Sequence, residues 1–247
     1  MAISNKINHY SNSGNRRKFN FKYVLAEIFL ITAGILIALG IDNWNNNRIE
    51  QNEVDKYLIE IKKELENNIK WSTKRKIIFE KKIKENKRVL NILNENNKDS
   101  IVILKKILDH INRASSQKPN VPIFEEFLNQ DFLPKINDDE LRQNLKAYKI
   151  GLQMAEIYDE FDREEVRDVV KPFMLENINY GQIYYSTLKF EEGGPVTDFS
   201  NLFDNLKFYN IVNFRGARLK SQLEALNFQS IWMKKTISLL DKELKNK

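Results

Sequence analysis

The run Val24-Leu-Ala-Glu-Ile-Phe-Leu-Ile-Thr-Ala-Gly-Ile-Leu-Ile-Ala-Leu-Gly-Ile41 constrains this chain more than any other feature. It holds 18 residues and a single charge, Glu27. As a helix it reaches about 27 Å, close to the roughly 30 Å hydrocarbon core of a bilayer. Phe19, Phe21 and Tyr23 precede it and Trp44 follows it, where the two interfaces of a membrane favour aromatic rings. The sequence therefore predicts a transmembrane helix over 24–41. A basic tail (1–23) comes before it, and a short polar junction (42–48) and a larger domain (49–247) come after.

Flanking charge gives the direction. Residues 1–23 carry Lys6, Arg16, Arg17, Lys18 and Lys22 and no acid, whereas the twenty residues after the span hold only Arg48 and Lys56 as basic residues. Lys and Arg stay on the cytoplasmic side. The N-terminus is expected inside, with Arg16, Arg17, Lys18 and Trp44 as interfacial anchors, and 49–247 outside, in the periplasm if the membrane is a bacterial inner membrane. Two other readings exist. Ala38-Leu39-Gly40 looks like a signal-peptidase site, though the apolar run is longer than a usual signal core. Asn15-Arg-Arg-Lys-Phe19 echoes a twin-arginine signal, which an ordinary topogenic cluster explains as well.

Glu27, Ile31, Gly34, Ala38 and Ile41 share one helix face. A charge at mid-bilayer costs about 3 kcal/mol, and less near an interface. Gly34 and Ala38 form a small-xxx-small pair that admits a second helix. Glu27, Gly34 and Ala38 are thus candidates for packing against another span or a second copy of the chain. The alternative is that Glu27 snorkels toward the headgroups or Lys22.

The net charge of +6 comes mostly from the tail; the remainder holds 35 basic and 34 acidic residues, so no nucleic-acid-binding domain is expected. With no Cys and two His, disulfides, thiolate zinc sites and histidine-rich metal sites are excluded. Only 8 Gly and 5 Pro argue against a sandwich or barrel. Hydrophobic residues at 42% and charged residues at 30% are enough for a packed core.

The stretch from Phe21 to Asn45, with Tyr23, Glu27-Ile28, Gly34-Ile-Leu-Ile-Ala-Leu39 and Asn43-Trp-Asn45, resembles the opening signature of an uncharacterised family of bacterial single-span membrane proteins. Asp42 stands where that pattern usually has Asn. A weaker resemblance runs from Phe124-Glu-Glu-Phe-Leu128 through Ile136-Asn-Asp-Asp-Glu-Leu-Arg142, similar to that family's segment of a short helix, a loop and a new helix opening with Glu-Leu-Arg. The resemblance covers under a third of the chain. It implies an anchored helical protein of unknown activity and brings no catalytic residue with it.

Beyond the junction, apolar residues at Val54, Leu58, Ile61, Leu65 and Ile69, then after a slip Phe79, Ile83, Leu90 and Leu93, predict an amphipathic helix over about 49–96. Its Lys70–Arg88 stretch holds nine basic residues against Glu80 and Glu85, a solvated face or a surface for anionic lipid. Asn96–Ser100 reads as a turn, 101–112 as a short helix, 114–122 as a loop and 123–129 as one or two helical turns. Asn137–Glu140 caps a helix running to about Val170, where Lys171-Pro172 breaks or kinks it. Glu191–Pro195 is a turn, and Thr197 or Asp198 is expected to cap a following helix. Val212, Gly216, Leu219, Leu223, Leu226, Ser230, Met233, Ile237, Leu240 and Leu244 form a heptad seam, as in a coiled coil, for which 49–96 is the obvious partner. Gly216 and Ser230 leave gaps in that seam.

Seven acids lie in 156–168 against Arg163 and Arg167. Their spacing matches no calcium loop. A solvated face, or a partner for the basic 70–88 stretch, explains them better than a metal site or paired-carboxylate hydrolysis. No phosphate loop, nucleophile elbow or zinc-protease motif occurs. The expectation is an all-α chain: one N-terminal transmembrane helix, then a helical bundle with long antiparallel N- and C-terminal helices. No catalytic, cofactor or metal residues are assigned. The expected role is that of a membrane-anchored scaffold or protein-interaction module. The alternatives are a periplasmic sensor or ligand-binding domain and, third, an enzyme using the acidic cluster. Membrane lipid, another transmembrane helix and a second copy are the expected partners, nucleic acid not.

Overall fold

A computed structural model describes residues 21–183, 191 and 193–245. The described residues are helical or irregular, with no strand among them. Six α-helices follow in order: α1 (Phe21–Asn94), α2 (Ile101–Ile111), α3 (Pro122–Asn129), α4 (Asp139–Glu165), α5 (Lys171–Asn177) and α6 (Leu206–Lys245). The predicted junction 42–48 is helical, part of α1. The chain divides between Gln51 and Asn52 into two compact units.

In the first unit, the apolar stretch of α1 is the one segment among the described residues that is long and apolar enough to cross a membrane. None of it is buried within the chain. Thr32 Oγ1 turns its hydroxyl back onto Ile28 O at 2.8 Å, so the hydroxyl is satisfied without water.

The second unit holds three apolar clusters. One gathers Val54, Leu58, Ile61 and Leu65 of α1 with Phe124 and Phe127 of α3, Leu141, Leu145 and Tyr148 of α4, and Met233 and Leu240 of α6. Another gathers Val89, Ile92 and Leu93 with Leu104 and Leu108 of α2, Phe173 and Met174 of α5, and Phe208 and Val212 of α6. A third, smaller cluster joins Phe79 to Leu219 and Leu226, with Trp71, Ile83 and Leu223 packed against it. The apolar core therefore has two large clusters and one small one.

The slip in the α1 pattern disappears once polar residues are counted. Leu58, Leu65, Ser72, Phe79, Asn86 and Leu93 are all buried and recur every seventh residue. Ser72 Oγ meets Ser230 Oγ at 2.8 Å, and a Cβ on Gly216 would stand 3.6 Å from Asn86 Cβ. Gly216 and Ser230 are thus places where α6 and α1 come close, not gaps awaiting bulky residues. Lys62 pairs with Asp241 at 2.5 Å.

Local chemistry sets the remaining ends. Glu64 of α1 accepts the first free N–H groups of α3, from Ile123 at 2.8 Å and Phe124 at 3.1 Å. Asp138 caps α4 through Leu141 N–H at 2.8 Å. Pro172 does not end helicity at Val170. A π turn over Val166–Val170 takes up the proline, Lys171 N–H bonding Val166 O five residues back, and α5 continues to Asn177. Asp198 caps a short 3₁₀ turn, Phe199–Leu202, in place of an α-helix; α6 starts later, its Phe208 N–H donating to Asn205 Oδ1 at 2.9 Å.

Candidate functional site

The sequence-chosen anchor residues remain apart from any cluster. Glu27, Gly34 and Ala38 are exposed on α1, and a Cβ on Gly34 would meet nothing within 4 Å. Trp44 is exposed with Arg48 Cζ 5.6 Å from its ring centroid. Arg16, Arg17 and Lys18 lie outside the described residues.

The acidic stretch departs most from expectation. Glu160, Glu164 and Asp168 are exposed beside Arg163 and Arg167, as a solvated face should be. Asp159 and Asp162 point the other way and are buried. Both hold the irregular segment after α2. Asp159 accepts the N–H of Gln117 at 2.9 Å and of Lys118 at 3.2 Å, and the Ser116 hydroxyl at 2.5 Å. Asp162 accepts Ser115 N–H at 2.7 Å and pairs with the buried guanidinium of Arg215. Arg215 Nη2 also donates to Arg113 O at 2.9 Å, and Gln222 Nε2 to Ser115 O at 3.0 Å. From the α1 side Arg75 Nε reaches Ser116 O at 2.9 Å and Lys82 Nζ reaches Ser115 Oγ at 2.9 Å. The basic and acidic stretches thus meet around this segment. A buried carboxylate needs such partners, because an unpaired one would revert to its neutral form.

Two titratable groups beside this layer are shifted. Burial, then the charges of Arg75 and Arg215, brings the Lys82 ammonium down to about 8. Burial, then Lys82, Arg215 and Lys81, brings His110 down to about 3. Glu85 Oε2 stands 3.2 Å from His110 Nδ1, yet burial and three cations outweigh one half-exposed carboxylate, so the imidazole is neutral. The 2.9 Å Lys82–Ser115 contact has the spacing of a nucleophile and base. Ser115 is buried, however, and its carbonyl and N–H are both tied into the layer, which suits a structural hydroxyl.

A cleft of about 260 Å³ opens between α4 and α6. Inward α4 residues Tyr148, Leu152, Ala155 and Asp159 step by four, three and four. Gly151, Met154 and Tyr158 therefore lie beside that inner face and line the cleft wall, opposite Ala225, Phe228 and Trp232 of α6. A Cβ on Gly151 would meet nothing within 4 Å. Three lining side chains carry buried polar atoms without a hydrogen-bond partner among the described residues: Gln117 Oε1, Tyr148 Oη and Gln229 Oε1. Gln117 is 1% and Tyr148 2% exposed, and burial pushes the Tyr148 phenol up, so it stays neutral. Around the cleft Ile150, Ile157 and Phe161 of α4 and Phe228 and Ile231 of α6 expose between 46% and 67% of their surface. Sequence reasoning passed over this site because its residues fall just outside the heptad seam. The one usable signal was that Ile150, Met154, Ile157 and Phe161 form a second apolar face on α4.

No protein-family model matches this chain, and neither a curated protein nor a solved structure does.

Proposed function

We propose that this chain is a membrane-anchored, non-catalytic helical scaffold or protein-interaction module. In this reading 24–41 crosses a bacterial inner membrane once, with the basic tail in the cytoplasm and 49–247 in the periplasm. The charge asymmetry across the span supports the direction. The chain would belong with the single-span family that its anchor resembles. The two long helices pair antiparallel: Lys62 with Asp241, Ser72 with Ser230 and Asn86 beside Gly216 support this. Asp159 and Asp162 are occupied in holding the 113–118 segment, which favours a non-catalytic role for the acidic stretch.

The observation that carries the interaction reading is the exposed apolar surface of α4 and α6 around Ile157, Phe161 and Ile231. A photo-crosslinking residue at Phe161 or Ile231 in cells is expected to give a defined adduct that the same residue at exposed Lys84 does not. Equal adducts at all three positions would count against it. An alkaline phosphatase fusion after Lys247 is expected to be active, and an inactive fusion reverses the orientation.

A second reading, a ligand-binding or sensor domain, is favoured by the three unpartnered polar atoms lining the α4–α6 cleft.

A further inference from the structure

We propose that the cleft between α4 and α6 binds a small, uncharged, flat aromatic molecule that carries an N–H or O–H donor. This rests on the ligand-binding reading.

The chemistry of the lining selects the class. None of the residues lining the cleft is charged, so an ionic ligand would lose its hydration without gaining a counter-charge. Gln117 Oε1 and Gln229 Oε1 are acceptors without donors among the described residues, and the neutral Tyr148 hydroxyl can give or take one hydrogen bond. Leaving such buried atoms unpaired is unfavourable, and a ligand donor removes that penalty. Size and shape follow from the small residues. Gly151 and Ala155 on one wall and Ala225 on the other leave a slot, and Phe228 and Trp232 offer ring faces beside it. At about 260 Å³ the cleft lies below the roughly 300–1,000 Å³ of drug-sized sites, which suits one or two fused rings.

The test uses the full-length chain in lipid nanodiscs, followed by fluorine NMR with empty nanodiscs subtracted. Three probes are compared: fluoroindole, which has the N–H; fluorobenzofuran, of the same shape without it; and fluoro-octanol, a flexible donor. Fluoroindole is expected to bind saturably, with fluorobenzofuran about tenfold weaker, as one lost buried hydrogen bond gives. Gly151→Leu projects into open space in the cleft and is expected to keep its helical circular dichroism while losing fluoroindole binding. Gln229→Leu is expected to bring the two aromatic probes to similar affinity. Equal binding of both aromatic probes to the unaltered chain overturns the donor requirement, and binding of fluoro-octanol alone overturns the aromatic class; both leave the cleft as a ligand site. Failure of all three probes, or fluoroindole binding undiminished in a folded Gly151→Leu chain, overturns the ligand-binding reading itself.

Discussion

At the scale of single residues, Asp162 and Arg215 carry the largest consequences. Both are buried, and breaking a buried ion pair from one side costs about 3–5 kcal/mol, because the partner charge is left without compensation. Asp162→Asn is expected to destabilise the protein by about that amount in urea melts. Asp162→Leu combined with Arg215→Met is expected to cost less than the sum of the two single changes, since no charge is then stranded. Lys82 and His110 govern the response to pH. Both bind a proton less readily in the folded state than in the unfolded chain, so each makes stability rise with pH. The window for His110 runs from about 3 to its ordinary 6.5, and that for Lys82 from about 8 to 10.5. Glu64 and Glu165, raised by burial, act in the opposite sense on the acid side. The checks are therefore differences in melting temperature across pH: Lys82→Met should flatten the alkaline rise, and His110→Asn should lessen the loss on acidification.

At the scale of elements, the pairing of α1 with α6 depends on small residues at fixed positions. An added Cβ at Gly216 lies 3.6 Å from Asn86 Cβ, an ordinary contact. Gly216→Ala is expected to be neutral or to stabilise by up to about 1 kcal/mol through helix propensity. Gly216→Leu cannot be housed against Asn86 and is expected to destabilise by about 1–3 kcal/mol. Thermal melts of the two variants should move in opposite directions or differ clearly in size. The α6 seam was legible in the sequence because its residues from Val212 to Leu240 are mostly apolar and regularly spaced. The matching α1 seam was only half legible. Ser72 and Asn86 occupy core positions, and an apolar-only pattern reads such residues as a slip. The Lys171-Pro172 interruption takes the form of a π turn, in which Lys171 N–H reaches Val166 O, and nothing in local propensity signals that form.

At the scale of the whole molecule, every residue of the three buried apolar clusters lies at or after Val54. A chain starting at Asn52 is therefore expected to fold by itself and to unfold cooperatively by circular dichroism. A gradual melt would show that the preceding stretch takes part in its stability. The candidate span, the all-α class and the long C-terminal helix follow from the sequence alone. Each depends on composition or on periodicity within one segment, and a helix bonds its own backbone. The buried polar layer and the α4–α6 cleft were decided only by tertiary structure. Asp159 and Glu160 are neighbours with the same chemistry, and one is buried because α1 and α6 bring the 113–118 segment beneath it. Which acid is buried, and which apolar face is left open, depends on where the other helices lie, and no single stretch of sequence carries that information.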